Sequence, residues 1–131
     1  MNYLNPELAD KQVNSLSILA LAHIGDCVFE LLVRTKLCMN DHRSAADLHK
    51  TTVSIVNAVS QSEYAEKILP VLTDEETAVF KRGRNSKVNS VPQKATVAEY
   101  HRATGVEALF GWLYLKGRTE RLEELFELLE I

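Results

Sequence analysis

Apolar residues recur along this 131-residue chain at helical spacing, and the polar residues between them supply start and stop signals. Leu122, Leu125, Phe126 and Leu129 follow one another at intervals of three and four with acids opposite, which predicts an amphipathic terminal helix starting at Thr119. Leu16 to Val33 is denser, with 13 apolar residues in 18, and predicts a long helix running to about Met39 from a cap at Asn14 or Ser15. Asn5-Pro6 has the cap and first-turn proline of a short helix reaching about Gln12. Thr73 with Glu76 and Thr96 with Glu99 form capping boxes, and Ser44 with Asp47 is a variant carrying Asp. Pro70 should close the helix that includes Glu63 to Leu69, and Gly117 suits a left-handed cap after Lys116. No stretch alternates with period two between hairpin turns, so the expectation is one all-α domain spanning 1–131.

The long helix is apolar on nearly every side, as suits the central helix of a bundle or a helix that also lines a dimer interface. It is not a membrane span, because His23, Gly25, Asp26 and Glu30 lie near its middle and two acids in hydrocarbon would cost several kcal/mol. Nor does the start of the chain resemble a secretory leader, since Asn2 to Gln12 carries charges and lacks an apolar centre. A reduced, cytoplasmic protein is expected. Cys27 and Cys38 sit among apolar neighbours in sequence and are read as small core hydrophobes.

Composition changes the picture only through charge. With 46% apolar and 25% charged residues the chain is an ordinary globular protein, and its net charge of −3 argues against a uniformly basic nucleic-acid binder. That average conceals segregation. Between Thr77 and Ala98 stand Lys81, Arg82, Arg84, Lys87 and Lys94 with no acid, and removing that +5 from −3 leaves −8 on the rest. The block ends one helix and enters the irregular stretch Ser86 to Ala95, where Asn85 and the serines can add hydrogen bonds to phosphate contacts.

Two acids stand out from the apolar helices. His23, Asp26 and Glu30 fall at i, i+3 and i+7 and share a face, and Arg34 can serve Glu30 but hardly Asp26. Glu107 lies in the apolar run Val106 to Leu115, with Gly111 one turn later, just as Gly25 immediately precedes Asp26. Glycine inside a helix costs roughly 1 kcal/mol against alanine, and close approach of a neighbouring helix is its expected return. Two acids beside glycines could therefore meet where their helices cross, offering the oxygen ligands that Mg²⁺ or Mn²⁺ prefers; two unrelated acids, each satisfied by polar neighbours, is the alternative. No phosphate-binding glycine loop, zinc-protease helix or serine-hydrolase elbow is present, and His42, His49 and His101 are scattered.

Leu19-Ala-Leu-Ala-His-Ile-Gly-Asp-Cys-Val-Phe-Glu30 resembles the signature helix of ribonuclease III, and Val106-Glu-Ala-Leu-Phe-Gly111 resembles that family's second acidic motif. Asp47-Leu-His-Lys50, Lys81-Arg-Gly-Arg-Asn85 and Tyr100-His-Arg102, with the short length, point to its Mini-ribonuclease III branch, and the likeness runs from about Leu16 to Leu115. The resemblance implies the all-helical endonuclease domain without the double-stranded RNA-binding domain, acting as a homodimer. It implies that Asp26 and Glu107 hold Mg²⁺ (or Mn²⁺ in its place) and carry catalysis, leaving 5′-phosphate and 3′-hydroxyl ends. The substrate implied is double-stranded RNA, in particular precursor 23S ribosomal RNA, with ribosomal proteins as possible helpers. Lys81, Arg82, Arg84, Asn85, Lys87, Lys94 and Arg102 are the expected RNA contacts. The chain departs from the larger enzymes where Ala22 and Thr104 replace acids one turn before Asp26 and three residues before Glu107. Glu30, His23 and Thr104 are weaker site candidates, and a non-catalytic helical RNA-binding module is the alternative function.

Overall fold

The structure, a computed structural model, describes residues 1–40, 43–87 and 94–131. His42 and the part of the irregular basic stretch from 88 to 93 lie outside the described residues. Every regular element among the described residues is helical: α1 (Asp10–Asn14), α2 (Ile18–Asn40), α3 (Ala45–Val56), α4 (Ala58–Ile68), a 3₁₀ turn (Leu69–Val71), α5 (Asp74–Arg84), α6 (Val97–Leu115) and α7 (Thr119–Leu128).

The caps account for most boundaries. Thr73 with Glu76 and Thr96 with Glu99 close both halves of their capping boxes, while Ser44 accepts the Asp47 amide at 3.2 Å. Pro70 sits in the 3₁₀ turn that ends the α4 segment. Gly117 takes φ +74, and the amide of Arg118 donates back to the Leu113 carbonyl at 2.9 Å, so α6 stops where a left-handed residue is cheapest.

Two boundaries differ from expectation, and a third has no counterpart in the sequence reading. No helix starts at Pro6; the Asn2 side chain accepts amide bonds from Leu4 and Asn5, and Leu8 donates to the Leu115 carbonyl, so this segment is tied to the end of α6 and α1 begins only at Asp10. The long helix is capped by Ser17 rather than Asn14 or Ser15, its hydroxyl accepting the Ala20 amide at 3.1 Å. The chain also breaks between α3 and α4 at Asn57, whose side chain donates to the Val53 and Ser54 carbonyls and accepts the Ser60 amide.

The central helix is α6, not α2. From Ala103 to Leu113 every α6 residue except Glu107 is buried, with α2, α4 and α5 packed against it. Phe29 of α2 joins the layers, its ring 5.5 Å from Phe110, 5.9 Å from Tyr64 and 6.1 Å from Phe126. The opposite face of α2 is open, with Leu31 54% exposed. Cys27 and Cys38 are exposed rather than buried, because they lie about three turns apart on that uncovered face. On the far side of the bundle, Glu76 is buried and receives two bonds of 2.9 Å from Arg121. Burial alone would raise its carboxyl, but Arg121 and Thr73 hold it below the ordinary range.

Candidate active site

Two glycines bring α2 and α6 together. A Cβ on Gly25 would overlap the main-chain carbonyl of Glu107 and lie 2.7 Å from the Gly111 nitrogen, and one on Gly111 would overlap the Leu21 carbonyl. Backbone meets backbone there, and the side chains flanking the crossing are forced to one side. Asp26 and Glu107 are those side chains.

Their carboxyls line one cleft from the two sides of the crossing. Asp26 is exposed and Glu107 half-buried. Burial, and then the neighbouring Asp26 charge and the hydrogen bond to it, push the Glu107 carboxyl up to about 9. Among the described residues no basic side chain forms an ion pair with either acid. Two neighbouring carboxylates without a basic partner favour a shared proton, or a cation in its place.

The pair lies in a cleft of about 190 Å³ also lined by Leu19, Ala22, His23, Tyr100 and Thr104. Tyr100, Thr104 and Glu107 stand at i, i+4 and i+7 on α6, so one face of that helix forms a wall. The Thr104 hydroxyl is turned into its own helix, donating to the Tyr100 carbonyl at 3.0 Å. His23 reaches the cleft, whereas Glu30 does not; it pairs instead with Arg34 at 3.0 Å. Tyr100 is the cleft residue that motif reasoning assigned no role, although its spacing from Glu107 already placed it on the same face.

Lys81, Arg82 and Lys87 are exposed at the end of α5 and just beyond it. Arg84 is half-buried, its Nε donating to the Asn85 side chain at 3.1 Å. Lys94 is exposed and shares a groove with Lys50, Ser54 and Asn57 at the α3–α4 break. Arg102 faces α4, donating to the Ser62 hydroxyl at 2.6 Å. Gly83 lets the α5 end approach α6, since a Cβ there would lie 2.9 Å from Gly105 Cα.

Two carboxyls at one end of a helix crossing suit a divalent cation with its remaining positions filled by water or phosphate oxygens, because Mg²⁺ often uses only one or two protein carboxylates. No third His, Cys, Asp or Glu joins them in a metal-sized group among the described residues. A sparse acidic centre in an all-helical protein with a basic helix end has the chemistry of a phosphodiester hydrolase that handles polyanions. Comparison with known proteins agrees. A family profile described as Ribonuclease III domain matches residues 19–118. Mini-ribonuclease 3 of Thermoanaerobacter sp. (strain X514) is 46% identical over 125 residues, 95% of this chain and 88% of that protein. Mini-ribonuclease 3 of Clostridium tetani is 39% identical over 127 residues, 96% of this chain and 84% of that protein. A crystal structure of a Fusobacterium nucleatum protein superposes with a TM-score of 0.81 at 32% identity, covering 88% of this chain and 93% of that one. The chain belongs to the ribonuclease III family and is an endoribonuclease.

Proposed function

We propose that Asp26 and Glu107 form the catalytic centre of a Mg²⁺-dependent endoribonuclease that cuts double-stranded RNA, with precursor 23S ribosomal RNA as its substrate. The carrying observation is two carboxyls facing one cleft at the glycine crossing, with no basic ion-pair partner among the described residues and one member pushed up to about 9. Such a pair is costly to retain unless a cation takes the place of the proton.

Asp26, exposed on α2, presents its carboxylate towards incoming RNA. Glu107 is fixed by α6 and the glycine contacts, so the two acids hold their spacing without reorganisation. Asp26 and Glu107 would hold a divalent cation there, which would supply Lewis-acid polarisation of the scissile phosphate and a more acidic water at neutral pH. Thr104, its hydroxyl committed to Tyr100, contributes shape rather than charge. Lys81, Arg82, Arg84, Asn85, Lys87 and Lys94 neutralise the RNA backbone, and Arg102 supports that surface through its bond to Ser62. A-form duplexes hide the major-groove base edges, so recognition rests on backbone, 2′-hydroxyls and shape.

The uncovered α2 face carrying Leu31, Cys27 and Cys38 is where a second protomer docks in this reading. The proposed place of work is the cytoplasm; no helix among the described residues is long and apolar enough to cross a membrane. The decisive assay incubates the purified protein with a long RNA duplex, with and without Mg²⁺. Metal-dependent fragments support the proposal; retarded but intact duplex would favour an RNA-binding module.

A further inference from the structure

A second concavity lies between the C-terminal half of α2 and α7. The two helices meet there with Phe29 against Phe126, and with Lys36 both over the Phe126 ring and 3.8 Å from Glu127. The groove left between them measures about 460 Å³. Its floor includes Leu32, Phe126 and Met39, the last 75% exposed. Its rim carries Glu120, Glu123, Glu124 and Glu127. Glu124 is engaged by Arg121 and Glu127 by Lys36, which leaves Glu120 and Glu123, both exposed, without an ion-pair partner among the described residues.

Charge selects the occupant. RNA and anionic membranes are repelled by a four-glutamate rim. A second copy docking isologously would set the same glutamates against each other, which is destabilising. A basic segment gains on both counts, pairing cations with the rim while burying apolar side chains on the floor. The walls are two helices and the open floor extends from Leu32 to Met39, about two helical turns, which is the dimension of a short amphipathic helix laid in a groove.

We infer that the α2–α7 groove is a docking site for a basic, amphipathic helical segment of a partner protein. The site is separate from the Asp26–Glu107 cleft, with which it shares no lining residue. Occupation therefore adds a protein contact without competing with RNA at the basic end of α5.

The test uses the full chain and a synthetic peptide of about 14 residues, about four helical turns, with leucines at i, i+3, i+4 and i+7 and lysines elsewhere. Amide chemical-shift mapping locates binding, and fluorescence anisotropy at low and high salt measures it. The expected shifts fall on Leu32 to Asn40 and Glu120 to Glu127. Replacing Glu120 and Glu123 together by Gln should weaken binding about three- to tenfold and reduce its salt dependence. Met39→Ser should weaken the amphipathic peptide but not a scrambled peptide of the same composition. All three substitutions lie on exposed side chains, and unchanged helix content verifies that the fold survives. Shifts centred on Asp26 or spread over the surface would overturn the inference. So would affinities indifferent to the three substitutions, groove signals that move with protein concentration alone, or groove signals that move with duplex RNA.

Discussion

Gly25 lies directly against the main-chain carbonyl of Glu107, so closely that a methyl group at position 25 would occupy the carbonyl's place. The contact couples stability to the site. The same glycine that lets α2 and α6 touch also determines how far apart the Asp26 and Glu107 side chains stand.

Gly25→Ala should therefore damage folding and catalysis together. The added carbon meets backbone, which cannot rotate away, so the helices must separate at a cost of about 3 kcal/mol or more, or about 10 °C in Tm. Gly111→Ala should act likewise against the Leu21 carbonyl. Thermal unfolding followed by circular dichroism measures both, and a Tm within a degree of the parent would contradict the packing described.

Glu107→Gln should separate the two properties. The raised carboxyl favours its neutral form in the folded chain, so its contribution to stability is present below the ordinary carboxylate range and is lost as pH rises towards about 9. A permanently neutral amide escapes that loss. At pH 8 and without divalent metal the variant should be at least as stable as the parent, by about 1 kcal/mol or about 4 °C, while cleavage disappears. A less stable, active variant would reverse the assignment.

Metal binding should follow the same proton. A cation entering the pair displaces it, so apparent affinity should strengthen by up to about tenfold per pH unit below pH 9. Isothermal titration with Mg²⁺ or Mn²⁺ in buffers of different ionisation enthalpy reads the released proton directly. Affinity independent of pH between 6 and 8.5 would place the cation elsewhere.

Much of this was legible in the sequence because its signals are local. Capping boxes at Thr73 and Thr96 and the glycine at 117 act within one turn of chain, and each helix end they mark is present. Gly25 beside Asp26 and Gly111 after Glu107 mark a close helix crossing within the sequence itself. What escaped depends on long-range contacts. Pro6 follows a capping residue, yet Leu8 is claimed by the Leu115 carbonyl, and nothing near Pro6 announces that partner. The apolar density of α2 overstates its burial for a similar reason. Its apolar content does not say which face meets α6, so Cys27 and Cys38 read as core residues although the core covers only the other side. The bond from Arg102 to Ser62, 40 residues away in the chain, has no local signal either.

The basic end of α5 should govern affinity rather than chemistry. Replacing Lys81, Arg82 and Lys87 by Ala removes three exposed cations and should weaken binding to unrelated duplexes alike. The slope of log affinity against log salt should flatten by roughly 0.7 to 0.9 per lost contact. The single-turnover rate at saturating enzyme should change far less. An unchanged salt slope would return these residues to a solvated surface.

Leu31→Glu should probe the open face of α2. The side chain is 54% exposed in one protomer, so the fold should survive the charge while an interface that buries it should not. Sedimentation velocity should show a dimer for the parent and a shift towards monomer for the variant. A monomeric parent with full activity would remove the dimer from the account.

The central claim is that the carboxylate pair performs the chemistry, and Asp26→Asn tests it most directly because the amide keeps the shape and removes the charge. Single-turnover cleavage of a long RNA duplex should be measured at saturating Mg²⁺, beside duplex affinity and Tm. The account predicts a rate at least about 1,000-fold lower, with affinity and stability close to the parent. A rate within a few-fold of the parent under those conditions would contradict it.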